Sequence, residues 1–307
     1  MRVLLLVNPV ASSVTARRDV IIHKLLTADH DVERAETEHR GHAVDLARSA
    51  AARGFDAVVV LGGDGTLNEA ANGLAGTRTA LAALPGGSTN VFARTLGLSD
   101  EPIEATMSLI DAMNAGSVQR IGLGSVNGRY FLFHTGVGWD ARLVRQVEKR
   151  ARLKKYANHA LFIWCGLETF FWLYDRRNPH FAVIHEDGTR VADGYFSVIL
   201  NSDPYTYLGT TPFNLSPDAA LDRPLSVVTL TRMGSLRFLY LMIATLRSPD
   251  ATTRSAITDY RKDVNSLTIE AYRPVPYQVD GDDLGDTSRL EFRYHDAFLD
   301  LVVPAAG

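Results

Sequence analysis

Cysteine is all but missing from this chain of 307 residues. Cys165 stands alone, which excludes an intrachain disulfide and fits a reducing compartment, with burial as its expected role. An excess of charge is missing too, since 32 lysines and arginines face 35 acids and leave a formal charge of −3. That balance gives no whole-protein attraction to nucleic acid, so any anion site must be built locally. Long apolar runs are also absent. The first, Val3 to Val7, is too short for the core of a secretion signal and reads as a buried strand. The most apolar later stretch, Leu161 to Tyr174, would span about 21 Å as a helix against the roughly 30 Å hydrocarbon core of a bilayer, so it is not expected to cross one. What the chain does have is material for packing: 46% of its residues are apolar, enough for one large domain or two ordinary ones.

The organising stretch is Gly62-Gly63-Asp64-Gly65-Thr66-Leu67-Asn68-Glu69, directly after the apolar run Ala57 to Leu61. That run is short, β-branched and bounded by glycine, so it reads as a strand buried on both faces. Glycines let the backbone approach a ligand closely, and Thr66 with Glu69 three residues on predicts a capping box opening a helix over Leu67 to Leu74. Strand, glycine loop and helix N-terminus then aim amides and a positive dipole end at one place, which suits phosphate. Asp64 would be repelled there unless a divalent cation or a sugar hydroxyl intervenes, so it suggests a Mg-nucleotide; the plainer alternative is a turn and a cap. The loop is neither a Walker loop, since no Gly-Lys-Ser/Thr follows, nor the dinucleotide G-x-G-x-x-G.

GGDGTLNE resembles the signature of the diacylglycerol kinase catalytic-domain family, which includes bacterial lipid kinases and sphingosine kinases. GGDGT alone is shared with NAD kinases, and Asn68-Glu69 tilts the match to the lipid kinases. The resemblance implies ATP and Mg²⁺, with Gly62, Gly63, Asp64, Gly65, Thr66, Asn68 and Glu69 around the nucleotide and Asp64 meeting metal through Mg-nucleotide. Asn8-Pro9, after the first strand, sits where the family has Asn-Pro-x-Ser-Gly-Lys against the phosphates. Its Gly-Lys is missing here; Arg17 or Arg18 from the next helix could supply the charge, the plainer alternative being solvated surface arginines. Thr37, after the strand Asp31 to Ala35, matches a threonine lining the adenine or ribose side. A second unit repeats the pattern: strand Thr79 to Leu84, glycine turn Pro85 to Asn90, helix from Val91. It is similar to the family's Leu-Pro-x-Gly-Thr-Ala-Asn-Asp-Phe-Ala, which adds Gly87, Ser88 and Asn90 to the nucleotide set, while Val91 replaces the usual Asp. Two such units place two loops at the carboxyl edge of one parallel sheet, where α/β proteins bind ligands.

From Gly116 the αβ alternation gives way to short period-two runs separated by Gly, Asn-Gly and Asp-Gly. Strands are expected at Ile121 to Val126, Tyr130 to His134, His180 to Glu186, Arg190 to Leu200, Leu225 to Thr231, Ser266 to Tyr272 and Tyr277 to Val279, with hairpin turns at Asn127-Gly128 and Asp187-Gly188. The fold expected is therefore a Rossmann-like three-layer α/β domain over residues 1–120 and a mostly antiparallel β-sandwich over 121–297, with the strand 298–303 returning to the first. By resemblance, the active site would lie in the cleft between them. A helical stretch, Asp140 to Asp175, carries Arg142, Arg145, Lys149, Arg150, Arg152, Lys154 and Lys155 before its apolar half. It reads either as a surface docked on an anionic membrane or as a solvated helix beside a core helix.

Two acidic features complete the set. Leu221-Asp222-Arg223-Pro224-Leu225 sits where the family holds a structural Mg²⁺ on Leu-x-Asp-Gly-Leu-Leu-Asp. Arg223 falls on the aspartate, so only a slip of one residue makes Asp222 the ligand, with the backbone of Ala219 and Pro224; an ordinary turn is the alternative. Val279-Asp280-Gly281-Asp282 matches the family's Asp-Gly-Glu, which makes Asp282 the general base and Asp280 its helper or a metal contact, against the plainer reading of a tight acidic hairpin. The resemblance implies a phosphotransferase acting on the hydroxyl of diacylglycerol or a sphingosine-like lipid, cytoplasmic or peripheral at the inner membrane face, with a homodimer left open. The alternatives are an NAD kinase-like enzyme and an inactive nucleotide- or lipid-binding protein of the same fold.

Overall fold

A computed structural model of the protein describes residues 1–150 and 158–304. They form two compact units, Met1–Leu123 with the segment from Asp296 onward, and Gly124–His295.

The first unit runs β1 (Arg2–Val7), α1 (Ala16–Asp29), β2 (Asp31–Glu36), α2 (His42–Ala52), β3 (Ala57–Gly62), α3 (Asp64–Leu74), β4 (Ala80–Pro85), α4 (Val91–Thr95) and α5 (Pro102–Asn114), then enters β5 (Val118–Val126). Its strands are parallel in the order β2, β1, β3, β4, and Leu301 near the chain end pairs in parallel with Leu81 of β4. The continuous apolar runs of β3 and β4 are buried throughout, as a parallel sheet with helices on both faces requires. Charged β2 takes the edge, where its acids and Arg34 discourage pairing with another chain. The crossovers change direction between β1 and β3, which makes the carboxyl ends of these two strands the switch point of the sheet. Helices α2 and α3 press together at Gly73, where a Cβ would lie 2.4 Å from the carbonyl oxygen of Val44.

The second unit continues with β6 (Arg129–Phe131), β7 (His134–Gly138), α6 (Trp139–Lys149), a helix Asn158–Glu168 ending in a π turn Thr169–Leu173, β8 (Phe181–His185), β9 (Arg190–Gly194), β10 (Phe196–Leu200), β11 (Thr206–Leu208), β12 (Thr211–Phe213), β13 (Leu225–Leu230), a helix Ser235–Thr245, β14 (Thr258–Val264), β15 (Ser266–Val279) and β16 (Asp282–Val302). Strand β15 serves two sheet halves: Leu267–Ala271 pair with β8, and Tyr277–Val279 pair with β7. One half runs β14, β13, β10, β7 and the other β9, β8, all antiparallel. Val137, Ile199 and Val227 from the first half meet Val183, Leu267, Ile269 and Phe292 from the second, so the expected sandwich has its core between them. On the outer face of β10 and β13, Phe196, Val198 and Val228 pack against Phe170 of the π turn and Phe238 and Leu241 of the helix Ser235–Thr245.

Several boundaries differ from the sequence reading for identifiable reasons. Arg190 to Leu200, one alternating run in sequence, is two strands because the chain changes sheet halves at Tyr195: β9 pairs with β8, β10 with β7 and β13. Ser266 to Val279, read as two strands, is one, with its ladder disturbed between Glu270 and Val275 where Pro274 intervenes. Tyr130 to His134, read as one strand, is parted into β6 and β7. Strand β14 and most of β16 went unread because their exposed faces are charged and mask the alternation.

Candidate functional site

The switch point of the first unit carries Asn8 after β1 and Gly62–Thr66 after β3, with the turn after β4 beside them. Asn8 N donates to Leu61 O at 2.9 Å, Gly86 N to Gly62 O at 2.8 Å and Ser13 N to Gly86 O at 2.9 Å. Ser13 Oγ adds a bond to Gly87 O at 3.0 Å. The glycine turns are thus stitched backbone to backbone. A Cβ on Gly86 would sit 2.7 Å from Gly62 N, and one on Gly87 2.8 Å from Gly63 Cα, so both positions demand glycine. What three such loops present is main chain, including the first turn of α3, whose amides have no partner within the helix. Amides and the positive helix end together make a cradle for an oxyanion.

Side chains pin the corner rather than fill it. Asp64 Oδ2 and Oδ1 accept from Val91 N and Phe92 N, each at 3.1 Å, which caps α4 and locks the first glycine turn to the second. Asn90, in the left-handed region at φ 48°, accepts from Gly87 N at 2.8 Å and donates to Gly87 O at 3.2 Å. Thr66 Oγ1 accepts from Asn8 Nδ2 at 2.8 Å. The capping box expected of Thr66 and Glu69 does not form. Helix α3 opens two residues before Thr66, at Asp64 with Gly63 as its cap, and Glu69 instead accepts from Gly41 N at 2.8 Å and Ala43 N at 3.3 Å, capping α2. Glu69 therefore supports the corner from behind. Asn68 is buried and receives Asn72 Nδ2 at 3.3 Å, Gly65 is half-buried in the first turn of α3, and Ser88 is exposed at the second turn. Thr37 N bonds Val7 O at 2.9 Å, which keeps Thr37 at the end of β1. Arg18 braces the first loop, donating to Ser13 O at 2.9 Å and meeting Glu101 at 3.4 Å, while Arg17 is exposed.

Residues 2–126 match the family described as the diacylglycerol kinase catalytic domain. The match covers most of the N-terminal unit. A diacylglycerol kinase of Bacillus subtilis (strain 168) is 28% identical over 265 residues, 85% of this chain and 82% of that protein. A crystal structure of a diacylglycerol kinase from Bacillus anthracis str. Sterne shares the fold with a TM-score of 0.76 at 24% identity, over 99% of this chain and 97% of that one. An NAD kinase from Archaeoglobus fulgidus, in complex with ATP, shares it more distantly, with a TM-score of 0.53 at 12% identity over 99% and 94%. Within the matched residues, the departure at Val91 is accommodated simply: the valine side chain is buried and its amide is what Asp64 holds.

Beyond that domain, the acidic hairpin of the second unit divides its labour. Asp280 and Gly281, at φ 47° and 87°, form the two-residue turn joining Val279 to Asp282. The buried Asp280 carboxylate accepts from Leu132 N at 2.7 Å and from Phe133 N and His134 N at 3.0 Å each. Three amides occupy it, so it positions the β6–β7 connection and does not serve as the expected helper or metal contact. Asp282 is partly exposed and pairs with Arg129 at 2.9 Å. Asp283 is gripped by the Arg145 fork at 2.6 and 2.9 Å; burial would raise its pKa, and the arginine brings it below the ordinary value instead. Asp222 is exposed, and among the described residues no group of three or more His, Cys, Asp or Glu side chains could hold a metal. Asp218, in the same loop, is already taken by Tyr260 Oη at 2.7 Å and Lys262 Nζ at 3.4 Å. One exposed carboxylate is a poor hard-cation site, so these residues do not fit the structural Mg²⁺ that the resemblance implied.

The second unit holds a cavity of about 250 Å³ lined by Trp139, Leu143, Phe170, Phe196, Phe238 and Met242 among others. Phe170 and Phe238 stack at 4.5 Å across its wall. A single carboxyl faces this apolar lining. Asp140, in the first turn of α6, accepts from Tyr205 Oη and from Gln278 Nε2 at 2.8 Å; burial raises its pKa while these donors pull the other way. A Cβ on Gly136 would lie 1.5 Å from Asp140 Oδ2, so the strand opposite must be glycine. Next to Tyr205, at 4.3 Å between rings, burial pushes the His134 imidazole down to about 3, which keeps it neutral at physiological pH. No spacing in the chain marks Asp140, Tyr205 and Gln278 as partners, because 138 residues separate the first from the last. Of the expected basic run, Arg145 is spent on Asp283 and Asp286 and Arg150 on Glu168, while Arg152, Lys154 and Lys155 lie outside the described residues.

Proposed function

We propose that the chain is a lipid kinase that takes ATP with Mg²⁺ and moves the γ-phosphoryl group to the hydroxyl of diacylglycerol or a related lipid alcohol, sphingosine-like ones included. The observation that carries this reading is the glycine corner, where main-chain amides and a helix N-terminus converge at the switch point of a diacylglycerol kinase catalytic domain. The aromatic pocket with one carboxyl on its wall supports an acceptor with a long apolar body and a polar head. The Bacillus subtilis relative, named a diacylglycerol kinase and matching 85% of this chain, supports the same acceptor class.

In the proposed step the lipid oxygen bonds to the γ-phosphorus as the bond to the β–γ bridging oxygen breaks. The hydroxyl proton passes to a carboxylate, and ADP leaves with the bridging oxygen. Phosphoryl transfer asks mainly for alignment and charge neutralisation, which Mg²⁺ carried in with the nucleotide supplies in part. Asp282 is the proposed acceptor of the proton, oriented by Arg129, since Asp280 is filled by amides. Asp64 and Asn90 keep the glycine turns in register, and Asn8 and Thr66 tie the first loop to α3. No helix among the described residues is long and apolar enough to cross a membrane, so contact with the lipid would be peripheral.

Purified protein given γ-labelled ATP, Mg²⁺ and detergent-dispersed diacylglycerol is expected to yield labelled phosphatidic acid. Asp282→Asn should lower kcat by about 100-fold or more without shifting the unfolding midpoint. Labelling of NAD in place of lipid, or ATP binding with no transfer, would overturn the assignment.

A further inference from the structure

We propose that the second unit docks on an anionic lipid surface through an apolar collar around the mouth of its pocket, formed by residues 163–173 and 236–246. This rests on the lipid kinase reading and gives it a surface. Among the described residues, ten of the sixteen exposed large apolar side chains lie in these two short segments. Leu236 is 86% exposed, Trp172 and Tyr240 74% each, and Trp164 61%. A contiguous patch of this kind marks an interaction surface, because soluble proteins otherwise keep such patches small. The segments are one structure: Phe170 stacks on Phe238, and Arg176 donates to Ser235 Oγ at 2.5 Å. Ile163 and Leu167 are exposed and also line the cavity, so the collar runs into the pocket without a polar break.

Charge selects the occupant. Residues 232–247 contain Arg232, Arg237 and Arg247, all exposed, and no acid. Arg176 lies over the rings of Phe170 and Phe171 at 4.5 and 5.4 Å. Between Ile163 and Tyr174 the single acid is Glu168, which Arg150 neutralises, and Asp175 just beyond holds Arg177 N and Asn178. An apolar centre with a cationic rim matches a leaflet whose headgroups are anionic and whose acyl chains begin a few ångströms below. Tryptophan and tyrosine at the edge suit that boundary, being apolar in body and polar at one tip. A lipid could then pass from the leaflet into the pocket without crossing water. Within the expected basic run Arg142 to Lys155, Arg145 and Arg150 are already paired with acids and Lys149 is exposed.

The chain holds three tryptophans, two of them in the collar, so its own fluorescence reports the contact. Adding phosphatidylglycerol vesicles should shift emission to the blue, bromine-labelled acyl chains should quench it, and phosphatidylcholine vesicles should do less. Trp172→Glu combined with Leu236→Glu, neither residue lining the pocket, should weaken vesicle partitioning by about 10-fold or more. The same variant should phosphorylate a short-chain diacylglycerol in free solution as the parent does. Unchanged emission with vesicles, or equal partitioning of parent and variant, would overturn the proposal. So would a parent dimer that the variant loses in light scattering, which would assign the collar to a second copy of the chain. If the parent binds vesicles yet never phosphorylates the short-chain lipid, docking stands and the kinase reading falls.

Discussion

The two units build their candidate sites from different material. In the first, the cradle is main chain: Gly86 and Gly87 lie so close to the backbone of Gly62 and Gly63 that neither can carry a side chain, and acids such as Asp64 and Glu69 work behind the surface on amides of neighbouring helices. In the second, the pocket is side chain: Trp139, Phe170, Phe196 and Phe238 form its walls, and a buried aspartate with tyrosine and glutamine partners supplies the one carboxyl of the lining. A polyphosphate needs many fixed donors of one kind, and backbone amides provide them whatever the surrounding residues are. A lipid needs area and shape, which only large side chains give.

That contrast can be broken at its strongest point. Gly86→Ala would push a Cβ to within 2.7 Å of Gly62 N and 2.8 Å of Gly62 Cα, both main-chain atoms that cannot turn aside. The turns must separate, and the cost should reach the upper part of the range for point substitutions, about 4 kcal/mol. Nucleotide affinity should fall below detection by calorimetry. Retained binding would mean that the turns do not need each other. A pocket residue such as Met242→Leu should by comparison change acceptor affinity only severalfold, since side chains repack where backbones cannot.

The same contrast accounts for what the sequence could reveal. The corner Gly62 to Thr66 and the turn Pro85 to Asn90 are contiguous strings whose residue types follow from backbone geometry, so strand, turn and helix could be placed from them. The pairing of Asp64 with α4 and of Glu69 with α2 was not legible, because it depends on helices 27 and 26 residues away coming alongside. The Thr66–Glu69 spacing pointed to a local cap, and tertiary packing won over it. In the second unit Asn127-Gly128 and Asp280-Gly281 marked their turns through positive φ, whereas the pocket is assembled from residues between 139 and 242 that share no spacing. Asp280 became a candidate for chemistry through the resemblance to Asp-Gly-Glu, and its amide donors, 146 to 148 residues away, leave no mark in the chain.

Latches should also differ in strength between the units. Asp280→Asn keeps the left-handed φ, which Asn tolerates, but turns an amide toward donors that need an acceptor. With three buried N–H groups involved, a loss of about 3 kcal/mol is expected from denaturant unfolding. Asp64→Asn disturbs two half-buried amides at a helix start and should cost about 1 kcal/mol. Equal losses would show that the two acids hold their units alike.

The smallest expected effect concerns the metal. A divalent ion bound to the folded state at a hundred times its dissociation constant adds about 2.7 kcal/mol of stability, which moves the melting midpoint of a unit this size by several degrees. Asp222 is exposed and Asp218 already serves Tyr260 and Lys262, so the loop has no second carboxylate to offer. The ammonium of Lys262 stands as the permanent cation at Asp218, where it lowers the carboxyl pKa after the larger contribution of the tyrosine hydroxyl. Melting of the nucleotide-free protein in excess EDTA and in millimolar Mg²⁺ should therefore agree within about 1 °C. A clear drop on chelation would place an ion in the second unit after all, and Asp222→Ala, which should otherwise leave the midpoint alone, would then reproduce the drop without the chelator.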